Sequence, residues 1–202
     1  MDFTTTARVA RRIKAAVTSL GTEEDILLGQ MITSTSAAAE AYLDRVALIG
    51  TQTEYHDVEP GQVVWSLRGF PCTTFTTAHH DDDQAFGSDT LVDSDDYYNP
   101  TYGNGMVFRM RSPLIGGDPN DREIGSLKLV YTGGMAASAA TMITSYPDVA
   151  MAVEIQVAHD YLRKLDLGTI GKDVTPRASA VAGFWIDEAL ALLAPHRRLS
   201  AS

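Results

Sequence analysis

Leu127-Lys128-Leu129-Val130-Tyr131-Thr132-Gly133-Gly134 decides how this chain is read. Leu127, Leu129 and Tyr131 fall at every second position, which in a strand places all three on one face. The paired glycines end the strand. Tyr146-Pro147-Asp148 follows and opens a helix, because proline is tolerated in a first turn and an acidic side chain is favoured at the positive end of the helix dipole. Upstream lie shorter strand-like runs, and before them a long alanine-rich helix. Helices therefore bracket a β region. The predicted class is α+β: a small helical bundle with an inserted antiparallel β region, long loops and a C-terminal helix.

Working back from that strand, Thr51 to Tyr55 alternates, Pro60-Gly61 signals a turn, and Val63 to Leu67 is apolar and extended. Gly69-Phe70-Pro71 breaks the chain before a Thr-rich run from Cys72 to Thr77. Met106-Val107-Phe108 is a further short strand, so the β region spans 51–132. Two polar loops interrupt it. His79 to Asp96 holds seven Asp and no Lys or Arg; Ser112 to Ile124 holds Pro113, Gly116, Gly117 and Pro119. Loops of this length are commonly functional, and both are expected at the surface, one as an extended hairpin.

The helices are predicted over 6–20, 22–48 and 147–165. In the first, Val9, Ile13, Ala16, Val17 and Leu20 share a face, while Arg8, Arg11, Arg12 and Lys14 form a solvated basic side. In the second, Thr22 is the expected N-cap and Asp25 closes a capping box. Leu28, Met31 or Ile32, Thr35, Ala39, Tyr42 and Val46 then make a stripe rich in small neighbours, suited to close approach of another helix or subunit. In the third, Val149, Val153, Gln156, Val157 and Tyr161 form a face, and Gly168 is the expected cap. Beyond Pro176, Val181, Phe184, Trp185, Glu188, Ala189 and Leu192 pattern a last helix, stopped by Pro195 and followed by a short basic tail. Residues 1–166 thus read as a core and 167–202 as linker, helix and tail.

The chain has 202 residues, 21% charged and 45% hydrophobic, with a net charge of -10. That composition supports one packed core-forming chain and argues against wrapping nucleic acid in positive charge. An acidic surface can still line a passage through which DNA slides, because it repels phosphate. The single cysteine, Cys72, excludes an intrachain disulfide and a cysteine-rich zinc site, and its setting is that of a small buried hydrophobe. The first residues lack the apolar run of a signal peptide, and no stretch approaches the roughly 20 apolar residues of a membrane span. Synthesis in a reducing cytoplasm is expected.

Patterns with chemical potential fail one by one. His79-His80-Asp81-Asp82-Asp83 offers metal-ligand atoms, but neighbours on an extended chain point to opposite sides. Asp93-Ser94-Asp95-Asp96 begins like a calcium loop, yet Tyr98 and Asn104 stand where glycine and glutamate are needed. Gly168 to Asp173 is too short for a phosphate loop, and Gly103-Asn104-Gly105 reads as a hairpin turn. His159 and Asp160 are sequential on a helix and are not expected to form a dyad. None of the five histidines has an evident sequence partner. No catalytic, cofactor or metal residue is assigned.

The order of the parts resembles the head–tail adaptor (connector, head-completion) proteins of tailed bacteriophages. The resemblance is carried by Asp25-Ile26-Leu27-Leu28 running to Ile32 and then Tyr42-Leu43-Asp44-Arg45, by Arg68-Gly69-Phe70-Pro71, by Asp95-Asp96-Tyr97-Tyr98, by Tyr131 to Gly134, and by the helix Pro147 to Leu165. It covers roughly residues 5 to 165. It implies a virion protein, made in the host cytoplasm, that forms a homo-oligomeric ring, a dodecamer, between portal protein and a neck or tail protein. The ring would extend the DNA channel, with DNA passing through and not specifically bound, and would take no cofactor. It further implies that Ala178 to Arg198 docks on the portal, with Phe184, Trp185, Arg197 and Arg198 as contacts. Asp81, Asp82, Asp83, Asp89, Asp93, Asp95 and Asp96 would face the channel or tail. Competing readings are another neck or tail-completion component, a metal-dependent enzyme using the His79 to Asp96 cluster, and a general α+β binding module.

Overall fold

A computed structural model of the chain describes residues 1–13, 21–102, 105–115, 122–169 and 185–198. Two units emerge, one helical and drawn from Met1–Asp44 and Ser138–Arg197, the other β-rich and drawn from Arg45–Ala137 with Arg198. The class is α+β, with the β region inserted between helices.

The helical unit begins with α1 (Thr6–Arg12), whose Val9 and Ala10 are buried. The predicted continuation of this helix to residue 20 lies outside the described residues. Next comes α2 (Thr22–Leu43), which buries Leu28, Ile32, Thr35, Ser36, Ala39 and Leu43. Its start differs from the expected one by a residue. Gly21 is the N-cap, and Glu24, not Asp25, reaches back to accept the Gly21 N–H at 2.9 Å. The end differs too. Asp44 adopts a left-handed conformation (φ 49°, ψ 42°) and stops the helix, so residues 45–48 are not helical and Val46 is not part of its stripe. Asp tolerates that conformation better than most residues because its short side chain can bond locally.

Three more helices complete this unit. The first, α3 (Ala139–Ser145), is not foreseen in the sequence; Ser138 caps it by accepting from the Thr141 N–H at 3.2 Å. The long helix α4 (Pro147–Thr169) buries Val149, Val153, Gln156, Val157 and Tyr161, as the periodicity requires, and runs past Gly168, which is therefore not its cap. The last, α5 (Asp187–Leu193), starts later than expected: Trp185 precedes it, and residues 181–184 lie outside the described part. Buried Ala189 and Leu193 seat it, and Gln156 of α4 accepts the Ile186 N–H at 2.9 Å. Pro195 sits within a following 3-10 turn, Ala194–His196.

One charge is buried here. Glu154 on α4 is 4% exposed. Its carboxylate pairs with Arg8 of α1, accepts from the Thr4 hydroxyl at 2.8 Å, and lies 3.8 Å from Arg12. Burying a carboxylate is costly unless it is paired and hydrogen-bonded, and all three groups come from the N-terminal segment. Part of the basic side of α1, expected to be solvated, therefore anchors that helix to α4.

Among the described residues the β unit holds six strands: β1 (Gly50–Val58), β2 (Val64–Ser66), β3 (Cys72–His80), β4 (Tyr97–Tyr98), β5 (Val107–Met110) and β6 (Glu123–Gly133). Two antiparallel sheets form, in the orders β1-β6-β3 and β2-β5-β4. The deciding strand, β6, is central in the first, with Tyr131 opposite both Gln52 and Phe75. Leu127, Leu129 and Tyr131 are each 0% exposed and share a core with Leu67 and Phe108. Phe75 and Phe108 stack at 5.4 Å between centroids, and Tyr97 meets both rings at 5.2 Å. Full burial of each such apolar side chain contributes about 1.5–3 kcal/mol.

The glycine pair that ends β6 is required by close backbone approach. A Cβ at Gly133 would stand 1.9 Å from the Gly69 carbonyl oxygen. Gly134 has φ +144°, and a Cβ there would meet the Leu48 carbonyl oxygen at 2.6 Å. Among the described residues no helix is long and apolar enough to cross a membrane.

Candidate functional site

The outer face of β5 follows directly from its alternation. Phe108 and Met110 point into the core, so Val107 and Arg109 point out, and Arg111 beyond the strand end is also exposed. Two-residue β4 pairs beside it, with Tyr98 opposite Arg109. Tyr97 is drawn into the core and Tyr98 is left 51% exposed. The guanidinium groups of Arg109 and Arg111 lie 5.5 and 4.8 Å from the Tyr98 ring centroid. Together with Tyr102, Asn99 and Val107 they line an open concavity of about 650 Å³. Among the described residues neither guanidinium has a carboxylate within ion-pair distance. Tyrosine and arginine are the side chains most enriched where proteins dock. Sequence reading missed this cup, although the out-facing set Val107, Arg109, Arg111 was legible once β5 was extended past Phe108.

The acidic segment is less free than expected. His79 and His80 belong to β3, and the chain then folds back upon that strand: Leu91 bridges to His79, and the Val92 N–H donates to the Ala78 carbonyl at 2.9 Å. It is not an extended hairpin, because local turns consume its polar groups. The Asp81 carboxylate accepts from the N–H groups of Asp83 at 3.1 Å and Phe86 at 2.7 Å. Asp93 caps a 3-10 turn by accepting the Asp95 N–H at 2.9 Å. Asp82, Asp83, Asp89, Asp93, Asp95 and Asp96 are exposed, and Asp81 is half-buried. Carboxylate oxygens of Asp81, Asp82 and Asp83 lie within 4.8 Å of one another. Opposite-pointing neighbours were expected, but these three lie in a turn and not on an extended strand. Asp81 already serves its own loop, and among the described residues nothing further marks a metal centre.

All five histidines have polar neighbours that sequence spacing did not reveal. His56 approaches Glu54 at 3.1 Å, His80 approaches Glu123 at 2.7 Å, and His79 approaches the Thr90 hydroxyl at 3.4 Å. His196 lies 3.8 Å from Asp148. His159 and Asp160 do meet, at 3.2 Å, against expectation: adjacent side chains on a helix surface can converge when both bend toward solvent. His159 is exposed and Asp160 half-buried, and Asp160 also accepts from Gln156.

Glu54 and Tyr131 form a polar cluster within the β unit. Tyr131 donates to Glu54, while its oxygen accepts the Gly69 N–H at 2.8 Å. Glu54 also accepts from the Arg68 N–H at 2.9 Å. Burial raises the Glu54 carboxyl, but hydrogen bonds from His56, Tyr131 and Arg68 outweigh it and hold the group below its ordinary value. Burial, and then the hydrogen bond to Glu54, push the Tyr131 hydroxyl strongly upward. This cluster pins the Arg68–Gly69 backbone. Cys72 is 4% exposed, and burial pushes its thiol up to about 11, so it is the buried hydrophobe the sequence indicated.

Portal contact is what the resemblance implies for Phe184, Trp185, Arg197 and Arg198. Phe184 lies outside the described residues, and Trp185 is half-buried before α5. Arg197 is not a bare tail residue, since its guanidinium lies 5.3 Å from the centroid of the Tyr42 ring within the helical unit. Arg198 lines a hollow of about 330 Å³ on the β unit, beside Asp57, Glu59 and Trp65.

No protein-family model matches the sequence. No curated protein matches it either. Among solved structures, a chain from the "Virion of native gene transfer agent (GTA) particle" superposes with TM-score 0.55 at 18% identity, covering 100% of this chain and 97% of that one. A chain from the "Neck of empty GTA particle computed with C6 symmetry" gives TM-score 0.52 at 18% identity, covering 89% and 82%. The protein therefore shares its fold, over essentially its whole length, with a chain of gene transfer agent particles.

Proposed function

We infer that this protein is a structural subunit of the neck of a phage-like particle, where copies form a ring that joins head to tail. The observation that carries this reading is the full-length fold likeness to a GTA virion chain, 100% of one and 97% of the other. The order of parts in the sequence points to the same class independently. The neck chain's C6 symmetry supports a ring, and a ring of twelve copies obeys a six-fold axis. An exposed Tyr/Arg cup and an exposed acidic turn suit assembly better than catalysis.

In this reading the segment 178–198 reaches the portal, with Phe184, Trp185, Arg197 and Arg198 as contacts. The aspartates between Asp81 and Asp96 face the channel or the next neck or tail protein, and their charge lets DNA pass without sticking. Quantitative mass spectrometry of purified particles tests the assignment. A copy number close to that of the portal supports it. Absence from particles, or abundance at the level of a capsid or tube protein, overturns it.

A further inference from the structure

Two surfaces of the β unit complement each other. The first is the cup: Arg109 and Arg111 flank Tyr98, with Tyr102 82% exposed and Val107 40% exposed. The second is the turn after β3, where Asp82 and Asp83 are exposed beside Ile124, itself 70% exposed, and Tyr55, 57% exposed. Gln84 ties this turn to β6 by donating to the Ile124 carbonyl at 2.7 Å. The cup presents two guanidinium groups and the turn two carboxylates, each with large exposed apolar groups; on the turn side Lys128 also stands 5.2 Å from the Phe86 ring.

We propose that the Tyr98–Arg109–Arg111 cup receives the Asp82–Asp83 turn of a second copy of this chain. The contact is head-to-tail, since cup and turn are different surfaces. Repetition of such a contact generates a ring when its rotation closes. Charge decides the occupant. Among the described residues the two guanidinium groups have no carboxylate within ion-pair distance, so they favour an acidic surface, which copies of a chain with a net charge of -10 supply. Asp93, Asp95 and Asp96 lie next to the cup in sequence and are exposed near its Ser94 wall, which disfavours a continuous phosphate backbone. A short carboxylate pair on a tight turn meets less of that repulsion. Arginine stacked on Tyr98 is already oriented, so little side-chain freedom is lost on docking.

This contact deepens the ring reading and rests on it for its biological setting; it takes Asp82 and Asp83 for the seam between copies and leaves Asp89, Asp93, Asp95 and Asp96 to face the channel or tail. It is tested on the purified full-length chain. Two charge-reversed variants are made, R109E/R111E and D82K/D83K. All four positions are exposed, so folding is expected to be retained, and circular dichroism checks it. Sedimentation of the wild type should show concentration-dependent self-association with Kd below about 1 mM. Each variant alone should associate about a hundredfold more weakly, because like charges now face each other. An equimolar mixture should recover association, since an acidic turn then meets a basic cup and a basic turn meets an acidic cup. A wild type that stays monomeric to that concentration, or variants that associate as well as wild type, overturns the contact. So does association lost in both variants and not recovered on mixing. Binding of duplex or single-stranded DNA that R109E/R111E abolishes, with no self-association, reassigns the cup to phosphate and also overturns it. Absence of the chain from particles would remove the neck reading while leaving this contact standing, so the two failures are distinguishable.

Discussion

Glu54 and Tyr131 hold the Arg68–Gly69 turn through shared hydrogen bonds, and each is informative about stability. Replacing Tyr131 by Phe removes the hydroxyl and leaves the Gly69 N–H without that acceptor; about 1–3 kcal/mol of stability should be lost in urea unfolding. The acid limb follows from the lowered Glu54 carboxyl. Because the unfolded chain takes up that proton first, the contribution is complete above the ordinary value of 4.5 and is lost as pH falls through the lower folded value. Glu54→Gln should therefore flatten the stability profile below that pH, read by unfolding at a series of pH values. Cys72, with its thiol near 11, should resist iodoacetamide at pH 8 in the native protein and react once the chain is unfolded. None of these partnerships was legible in sequence, because Glu54 and Tyr131 are 77 positions apart. The burial of Cys72 was legible, from the extended Thr-rich run around it.

At the scale of elements, two placements dominate. Gly133 ends β6 where the Gly69 carbonyl leaves no room for a Cβ. Gly133→Ala should cost about 3 kcal/mol by overpacking against rigid backbone, measured as a fall in the denaturation midpoint. The α1–α4 contact depends on Glu154 and Arg8. Arg8→Ala leaves the buried carboxylate with Thr4 and the more distant Arg12. Removing a partner from a fully buried pair costs 3–5 kcal/mol; the Arg8 side chain is 39% exposed, so about 1–2 kcal/mol is expected after solvent screening. Thermal unfolding followed by helix signal checks it. The strands and the buried face of α4 were visible in advance because period-two and period-3.6 patterns are local. The early stop of α2 at Asp44 and the capped helix α3 were not, because tertiary hydrogen bonds claim residues 46–47 and because 139–145 carries little apolar periodicity.

For the whole molecule, the helical and β units divide the proposed work. Removal of residues 178–202 takes away α5 and the segment assigned to the portal, and should abolish portal binding in a pull-down while the β unit retains its sheet signal. Retained portal binding by the truncated chain would refute the assignment of that segment. By itself the sequence determined the α+β class, the order helix–strands–helix, the buried faces of β6 and α4, and the resemblance to head–tail adaptors. All of these rest on short-range periodicity and on turn residues, which the chain states locally. Only the tertiary structure decided that β6 lies between β1 and β3, that Glu154 draws Arg8 into a buried pair, that the aspartate loop folds back on β3, and that Tyr98, Arg109 and Arg111 meet in one cup. Those outcomes depend on pairings between residues far apart in the chain. Such pairings are selected by packing and by the need to satisfy buried polar groups, and no local pattern encodes them.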